Sequence, residues 1–187
     1  GMGGHAAGEV ASAMAVRAFH DEVKKDAELL TDFVDDARGA RRVTQKEVAA
    51  MLEAAVSTAS TRIYEEAARD QAKRGMGTTL SGLLVLGKKV FVTHCGDSRV
   101  YLLRGGSAQQ VTEDHTVANE LVKRGKMTRE QVEKLPQRNA IVRAVGVYEH
   151  VEVDILDFEI LPGDAFLLCS DGLYDYLEDA EIASNLA

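Results

Sequence analysis

The strongest constraint on the fold is a change of hydrophobic period at Gly75-Met76-Gly77. Before it, apolar residues recur at helical spacing; after it come short β-rich runs separated by Gly, Pro and charged turns. Residues 6 to about 30 read as a helix with Ala13, Val16, Phe19 and Val23 along one side. Residues 31–43, with Gly39 inside, read as a surface connection. A second helix starts after Thr44, whose hydroxyl and Glu47 form a capping-box pattern. Its apolar face is Val48, Met51, Leu52, Ala55, Ala59 and Ile63, opposite Lys46, Glu53, Ser57, Thr61 and Glu65.

Downstream, strands are expected over 78–86, 90–95 and 100–103, joined by short turns into an antiparallel meander. Helical stretches follow at 116–124 and from about Thr128, then strands at 151–158 and 165–169 across the turn Leu161-Pro162-Gly163-Asp164. A last helix begins around Glu178. Helices, antiparallel strands, a helical insertion, strands and a helix describe an α+β protein rather than a βαβ repeat.

The 187 residues suit one domain with a sizeable core. A formal net charge of -8 and a sequence pI of about 5.2 argue against a nucleic-acid binder, which needs a basic stripe to displace phosphate counterions. The short basic pairs Arg41-Arg42 and Lys88-Lys89 read as solvated surface. No apolar run approaches the roughly 20 residues that cross a bilayer, so no membrane partner is expected. Cys95 and Cys169 lack metal-type spacing, which suits a reduced cytoplasmic protein.

Two loops carry the chemistry. Cys95-Gly96-Asp97-Ser98-Arg99 and Cys169-Ser170-Asp171-Gly172-Leu173 each put an Asp just beyond a strand end, beside a Gly. Carboxylates so placed suit hard cations such as magnesium and manganese, which take oxygen ligands. Taken alone, Asp beside Gly after a strand is more often a turn, and strand-end cysteines are more often buried small hydrophobes than thiolate ligands. A hydrolase built on Ser98 or Ser170 with His94 or His115 would lack any G-x-S-x-G elbow.

Collinear segments sharpen the reading. Gly1-Met2-Gly3-Gly4-His5-Ala6-Ala7-Gly8-Glu9 resembles the DGMGGH-x-x-GE segment of bacterial metal-dependent protein phosphatases (type 2C, PPM), without its first Asp. Gly75 to Leu80 resembles the family's GMGTTL, and Gly96 to Tyr101 its GDSR-x-Y. Asp114-His115-Thr116, Asn119-Glu120-Leu121 and Arg138-Asn139 through Arg143-Ala144-Val145-Gly146 resemble its flap region, and Ser170-Asp171-Gly172-Leu173 its SDGL.

This resemblance implies a four-layer α-β-β-α sandwich of two antiparallel sheets flanked by helices. It also implies a single partial catalytic domain over 1–187, with a flap subdomain at about 114–146. The implied reaction is hydrolysis of phosphoserine or phosphothreonine proteins by a water activated between two Mn2+ or Mg2+ ions, without a phosphoenzyme. By the same resemblance, Gly1 supplies a ligating carbonyl, Asp171 a carboxylate of the central pair, and Asp97 a carboxylate of a third site shared with Asp171. Asp97 and Asp171 are thus the expected catalytic and metal residues. A serine/threonine kinase is the implied functional partner. Lys123 and Arg124 could meet an acidic phosphopeptide, against the plainer reading of a solvated helix face.

The family's bridging Asp would stand immediately before Gly1, and its final DN motif beyond Ala187. On that reading the 187-residue polypeptide is an incomplete fold, expected to bind the metal pair poorly and to be inactive. Its exposed strand edges would then favour a dimer. The alternatives are a catalytically dead phosphatase-like binding or regulatory module, and a metal-dependent hydrolase of small phosphate esters.

Overall fold

The computed structural model describes residues 1–35 and 42–186; of the connection expected over 31–43, residues 31–34 are helical instead, and 36–41 lie outside the described residues. It resolves into two compact units, one of Gly1–His94 with Ala144–Ile160, the other of Cys95–Arg143 with Leu161–Ala187.

The first unit begins with α1 (His5–Lys25) and α2 (Ala27–Val34), followed by α3 (Gln45–Arg69) and a 3-10 turn at Gln71–Lys73. The long first helix expected from the sequence is therefore two helices, which meet at Asp26 (φ -95°, ψ 27°). The buried stripe of α1 matches the expected one only in part: Phe19 and Val23 pack against the core, whereas Ala13 and Val16 are exposed. Val16 is 68% exposed, and the residues that bury are Ala7, Ala11, Ala15 and Ala18. Methyl side chains at this spacing let α1 lie close against α3, and close approach outweighs the larger hydrophobes nearby. The pair is also joined at its surface, where Arg62 Nη2 donates to Glu22 Oε1 at 2.6 Å.

α3 follows the sequence closely. Thr44 caps it through Glu47 in a full capping box, and all six apolar positions of the expected face are buried. Val48, Met51 and Leu52 pack with Leu86 and Phe91, against which Leu29, Leu30 and Phe33 of α2 also lie. Phe33 meets Phe91 edge to face at 5.6 Å.

The sheet of this unit has the order β1-β2-β5, formed by β1 (Leu80–Leu86), β2 (Lys89–Cys95) and β5 (Asp154–Glu159). β2 is its central strand and is buried along nearly its whole length. The stretch after residue 143 is fastened to α3. Ser60 Oγ donates to the Tyr148 carbonyl at 2.8 Å and accepts from Gly146 N–H at 3.0 Å.

The second unit holds β3 (Arg99–Arg104), β4 (Ser107–Gln110) and β6 (Ala165–Cys169), in the order β4-β3-β6. The expected meander of three consecutive strands is thus corrected: β3 leaves the sheet of β1 and β2 for a sheet of its own. The cause lies at Gly96 (φ 115°), whose N–H donates to His115 Nδ1 at 3.0 Å and whose carbonyl accepts from His115 N–H at 2.8 Å. With both backbone groups engaged there, the loop does not close as a hairpin. β3 pairs instead with β4 (Leu102↔Gln109) and with β6 (Arg99↔Cys169 through Leu103↔Ala165).

Beyond β4 lie α4 (Val117–Lys123) and α5 (Arg129–Val132), capped by Thr116 and Thr128. After β6 come α6 (Asp171–Tyr174), a short helix with no sequence counterpart in the expected order, and α7 (Asp179–Leu186). The turn into β6 has Pro162 followed by Gly163 at φ 92°, the type II pattern. Asp164 locks it by accepting from Leu161 N–H at 2.7 Å and from Arg104 Nη2 at 2.6 Å.

Gly146 has φ 91°, and a Cβ there would run into the side chain of fully buried Ile63. Gly146→Ala should therefore cost on the order of 3 kcal/mol. Thermal unfolding should show this as a melting temperature lower by roughly 6–12 °C.

The Arg104 guanidinium holds the Asp164 carboxyl down at about 2. A folded-state pKa below the unfolded value means this contribution is complete above about pH 4 and is lost as the carboxylate protonates. Asp164→Asn should lower the melting temperature at neutral pH, with the gap to the parent closing as pH falls from about 4 to about 2.

Candidate active site

The antiparallel register of β3 and β6 decides what comes together. Arg99 and Cys169 face each other at the end of the ladder. Asp97 stands two residues before the first, and Asp171 two residues after the second. In an antiparallel pair those directions coincide, so both carboxylates leave the same end of the sheet. They line one cavity of about 650 Å³ with Asp114, Tyr174, and residues of α4 and α5.

Asp97 is half-buried and Asp171 exposed. Burial pushes the Asp97 carboxyl up, and the negative charge of Asp171 pushes it further. Such a pair fits a hard divalent cation in donor type and charge, and offers two of the several oxygens that such an ion takes. Among the described residues, no group of three or more His, Cys, Asp and Glu side chains is placed to hold a metal ion. Gly1 lies in the first unit, at a close backbone approach to Gly8 that leaves no room for a Cβ on either residue.

The loop bearing Asp97 is held on two sides. On one, His115, which is 4% exposed, receives the Gly96 N–H on Nδ1, leaving Nε2 to carry the ring proton of the neutral form. On the other, the Tyr174 hydroxyl donates to the Asp97 carbonyl at 2.8 Å. Burial raises the Tyr174 phenol, and the charges of Asp97 and Asp114 add to that, so it remains a donor.

Arg99 joins these pieces. Its Nε and Nη2 form a fork on Asp114 at 3.0 and 2.7 Å, its Nη1 donates to Tyr101 Oη at 3.1 Å, and its guanidinium lies 3.6 Å over the Tyr174 ring. Burial disfavours the guanidinium charge, but the bonds to Asp114 and Tyr101 outweigh it and keep the group ionised. Neither Tyr174 nor the Arg99–Asp114 pair was singled out by sequence reasoning. The available signal was position: Arg99 is two residues from Asp97, and Tyr174 three from Asp171.

The other candidates are engaged elsewhere. His94 Nδ1 lies 3.1 Å from Ser81 Oγ. Both cysteines are free, Cys95 is fully buried, and burial pushes the Cys169 thiol up, toward the neutral form. Lys123 pairs with Glu113 and Arg124 with Glu120, all but Glu120 well exposed.

Comparison with known proteins identifies the family. The family model for protein phosphatase 2C matches residues 1–186. The serine/threonine phosphatase stp of Listeria innocua is 36% identical over 182 residues, covering 97% of this chain and 67% of its own. PstP of Mycobacterium tuberculosis is 39% identical over 186 residues, which is the whole of this chain and 33% of that protein. Among solved structures, Mycobacterium tuberculosis PstP/Ppp superposes with a TM-score of 0.76 at 38% identity, over 99% of this chain and 71% of that one. The Streptococcus agalactiae serine/threonine phosphatase gives 0.79 at 33% identity, over 100% and 71%. A PstP catalytic domain in complex with two manganese ions gives 0.71 at 36% identity, over 99% and 70%.

The chain belongs to the protein phosphatase 2C family. Its function is that of a serine/threonine protein phosphatase, and its α+β architecture with two antiparallel sheets is the one the sequence led us to expect.

Proposed function

We propose that the protein dephosphorylates phosphoserine and phosphothreonine side chains with Asp97 and Asp171 as ligands for divalent metal, manganese or magnesium. The observation that carries this is the shared cavity, where the charge of Asp171 raises a half-buried Asp97 carboxyl that a cation would stabilise in its ionised form. When bound, divalent ions lower the pKa of water and offset negative charge on phosphoryl oxygens. The chain's own part is to hold both carboxylates at one sheet end, with Tyr174 and His115 fixing the loop of Asp97. For Gly1, the proposal of a ligating carbonyl rests on the sequence motif alone.

Residues from about 114 to 146 are proposed as the substrate-facing flap, since α4 and α5 contribute to the cavity wall. A serine/threonine kinase is the class of enzyme that must supply such substrates. A cytoplasmic setting is proposed from the cysteine usage of the sequence; no described helix is long and apolar enough to cross a membrane. A binding or regulatory module without catalysis is not favoured, because the relatives are named as phosphatases.

Edge strands β5 and β6 expose Leu156 and Leu168, which supports pairing of a second copy along a sheet edge. Sedimentation should then show a dimer; a monomer at all concentrations would remove that part of the proposal.

The central test is hydrolysis of p-nitrophenyl phosphate with and without manganese. The 187-residue polypeptide is expected to turn over weakly at most; any turnover should require the metal, and Asp171→Asn should reduce it by about a hundredfold or more. A variant that keeps parental rates would refute the assignment.

A further inference from the structure

We propose that Arg99 is a positioning residue that couples the start of the 114–124 segment to the placement of Asp97 and Asp171. The inference rests on the reading of those carboxylates as metal ligands and adds a residue that lines the same cavity with its guanidinium engaged by Asp114. Three observations carry it, all within the second unit.

First, Arg99 occupies the last ladder position before the two loops diverge, directly across from Cys169. Displacement of this residue acts on both loops at once, because each Asp is only two residues away. Second, its side chain binds one element on each side. The fork on Asp114 reaches the residue that leads into α4, and the carbonyl of Asp114 accepts from Asn119 Nδ2 of that helix at 3.0 Å. Gln110 Nε2 adds a third polar contact to Asp114 Oδ1, also at 3.0 Å. Third, the opposite face of the guanidinium covers the Tyr174 ring, whose hydroxyl donates to the Asp97 carbonyl. A single planar cation therefore fixes the α4 entry by its edge and the α6 segment bearing Asp171 by its face.

Lysine cannot reproduce this. Its ammonium is a point charge that keeps the attraction to Asp114 but loses the fork and the stacking. A merely structural role predicts that Arg99→Lys lowers the melting temperature without a specific effect. A positioning role predicts two further effects: a weaker manganese site, and freer backbone exchange in 114–124. Tyr174→Phe separates the parts, since it keeps the ring under Arg99 and removes the hydroxyl that holds Asp97. Arg104→Lys is the control, as it weakens the comparable fork to Asp164 at the far end of the same strand.

The experiment measures manganese binding directly by EPR titration, amide exchange of 114–124, and manganese-dependent turnover, for parent and three variants. Arg99→Lys should raise the manganese dissociation constant by about tenfold and speed exchange in 114–124. Tyr174→Phe should weaken manganese by a smaller factor with exchange in 114–124 unchanged, and Arg104→Lys should change only the melting temperature. Manganese binding within twofold of the parent, unchanged exchange in Arg99→Lys, or an equal effect from Arg104→Lys would overturn the proposal. If the parent itself binds no manganese, the reading of the two carboxylates as metal ligands fails, and exchange in Arg99→Lys still decides whether Arg99 couples the segments.

Discussion

The candidate site depends on the antiparallel register of β3 against β6. Continued two residues past Arg99↔Cys169, that register sets position 97 against position 171. A slip of one residue would turn every side chain of β6 to the other face of the sheet and separate the carboxylates. The register is specified from several sides. The type II turn at Pro162-Gly163 fixes where β6 begins, and β3 is buried on both faces, Val100 on one and Tyr101 on the other, so packing from either side holds it in place. Interactions remote from the cavity thus set the geometry within it.

Two carboxylates at one sheet end repel each other, and Asp97 is raised first by its burial and then by the charge of Asp171. Their neighbours hold the backbone and leave the carboxylates' own charge in place. His115 binds both backbone groups of Gly96, Tyr174 binds the carbonyl of Asp97, and Arg99 spends its cationic fork on Asp114 rather than on Asp97. Had Arg99 paired with Asp97, the local charge would be neutralised and the attraction for a metal ion lost. The positive group instead cancels a third carboxylate, Asp114, that would otherwise add to the repulsion.

Much of this was legible in the sequence, for identifiable reasons. α3 could be read because its cap and its apolar face are both local, from Thr44 and Glu47 to the stripe ending beyond Ile63. The two Asp loops could be read because each follows an apolar strand directly. The stripe of α1 was legible only in part: Phe19 and Val23 pack against the core as expected, but the buried alanines carry little hydrophobic signal and Val16 is exposed. The meander failed at Gly96 because its backbone partner, His115, is 19 residues away, and no local rule reports that bond. The Arg99 fork and the Tyr174 stack were equally invisible, since each joins segments far apart along the chain.

The same contrast explains how the second unit divides its work. Its sheet is built from β3, whose Val100, Tyr101, Leu102 and Leu103 are all buried, while its polar contacts gather at the two ends of that strand. At the far end the fork of Arg104 closes on Asp164 in a tight turn and leaves that carboxyl strongly acidic, with no charge imbalance to use. At the near end the fork of Arg99 closes on Asp114, and Asp97 stays raised by burial and by the charge of Asp171, which Arg99 offsets only in part. One strand therefore leads at one end to a closed ion pair and at the other to two carboxylates that repel each other. Like charges held together by a scaffold are what a metal site requires, and the buried middle of β3 is what makes the scaffold stiff enough to hold them.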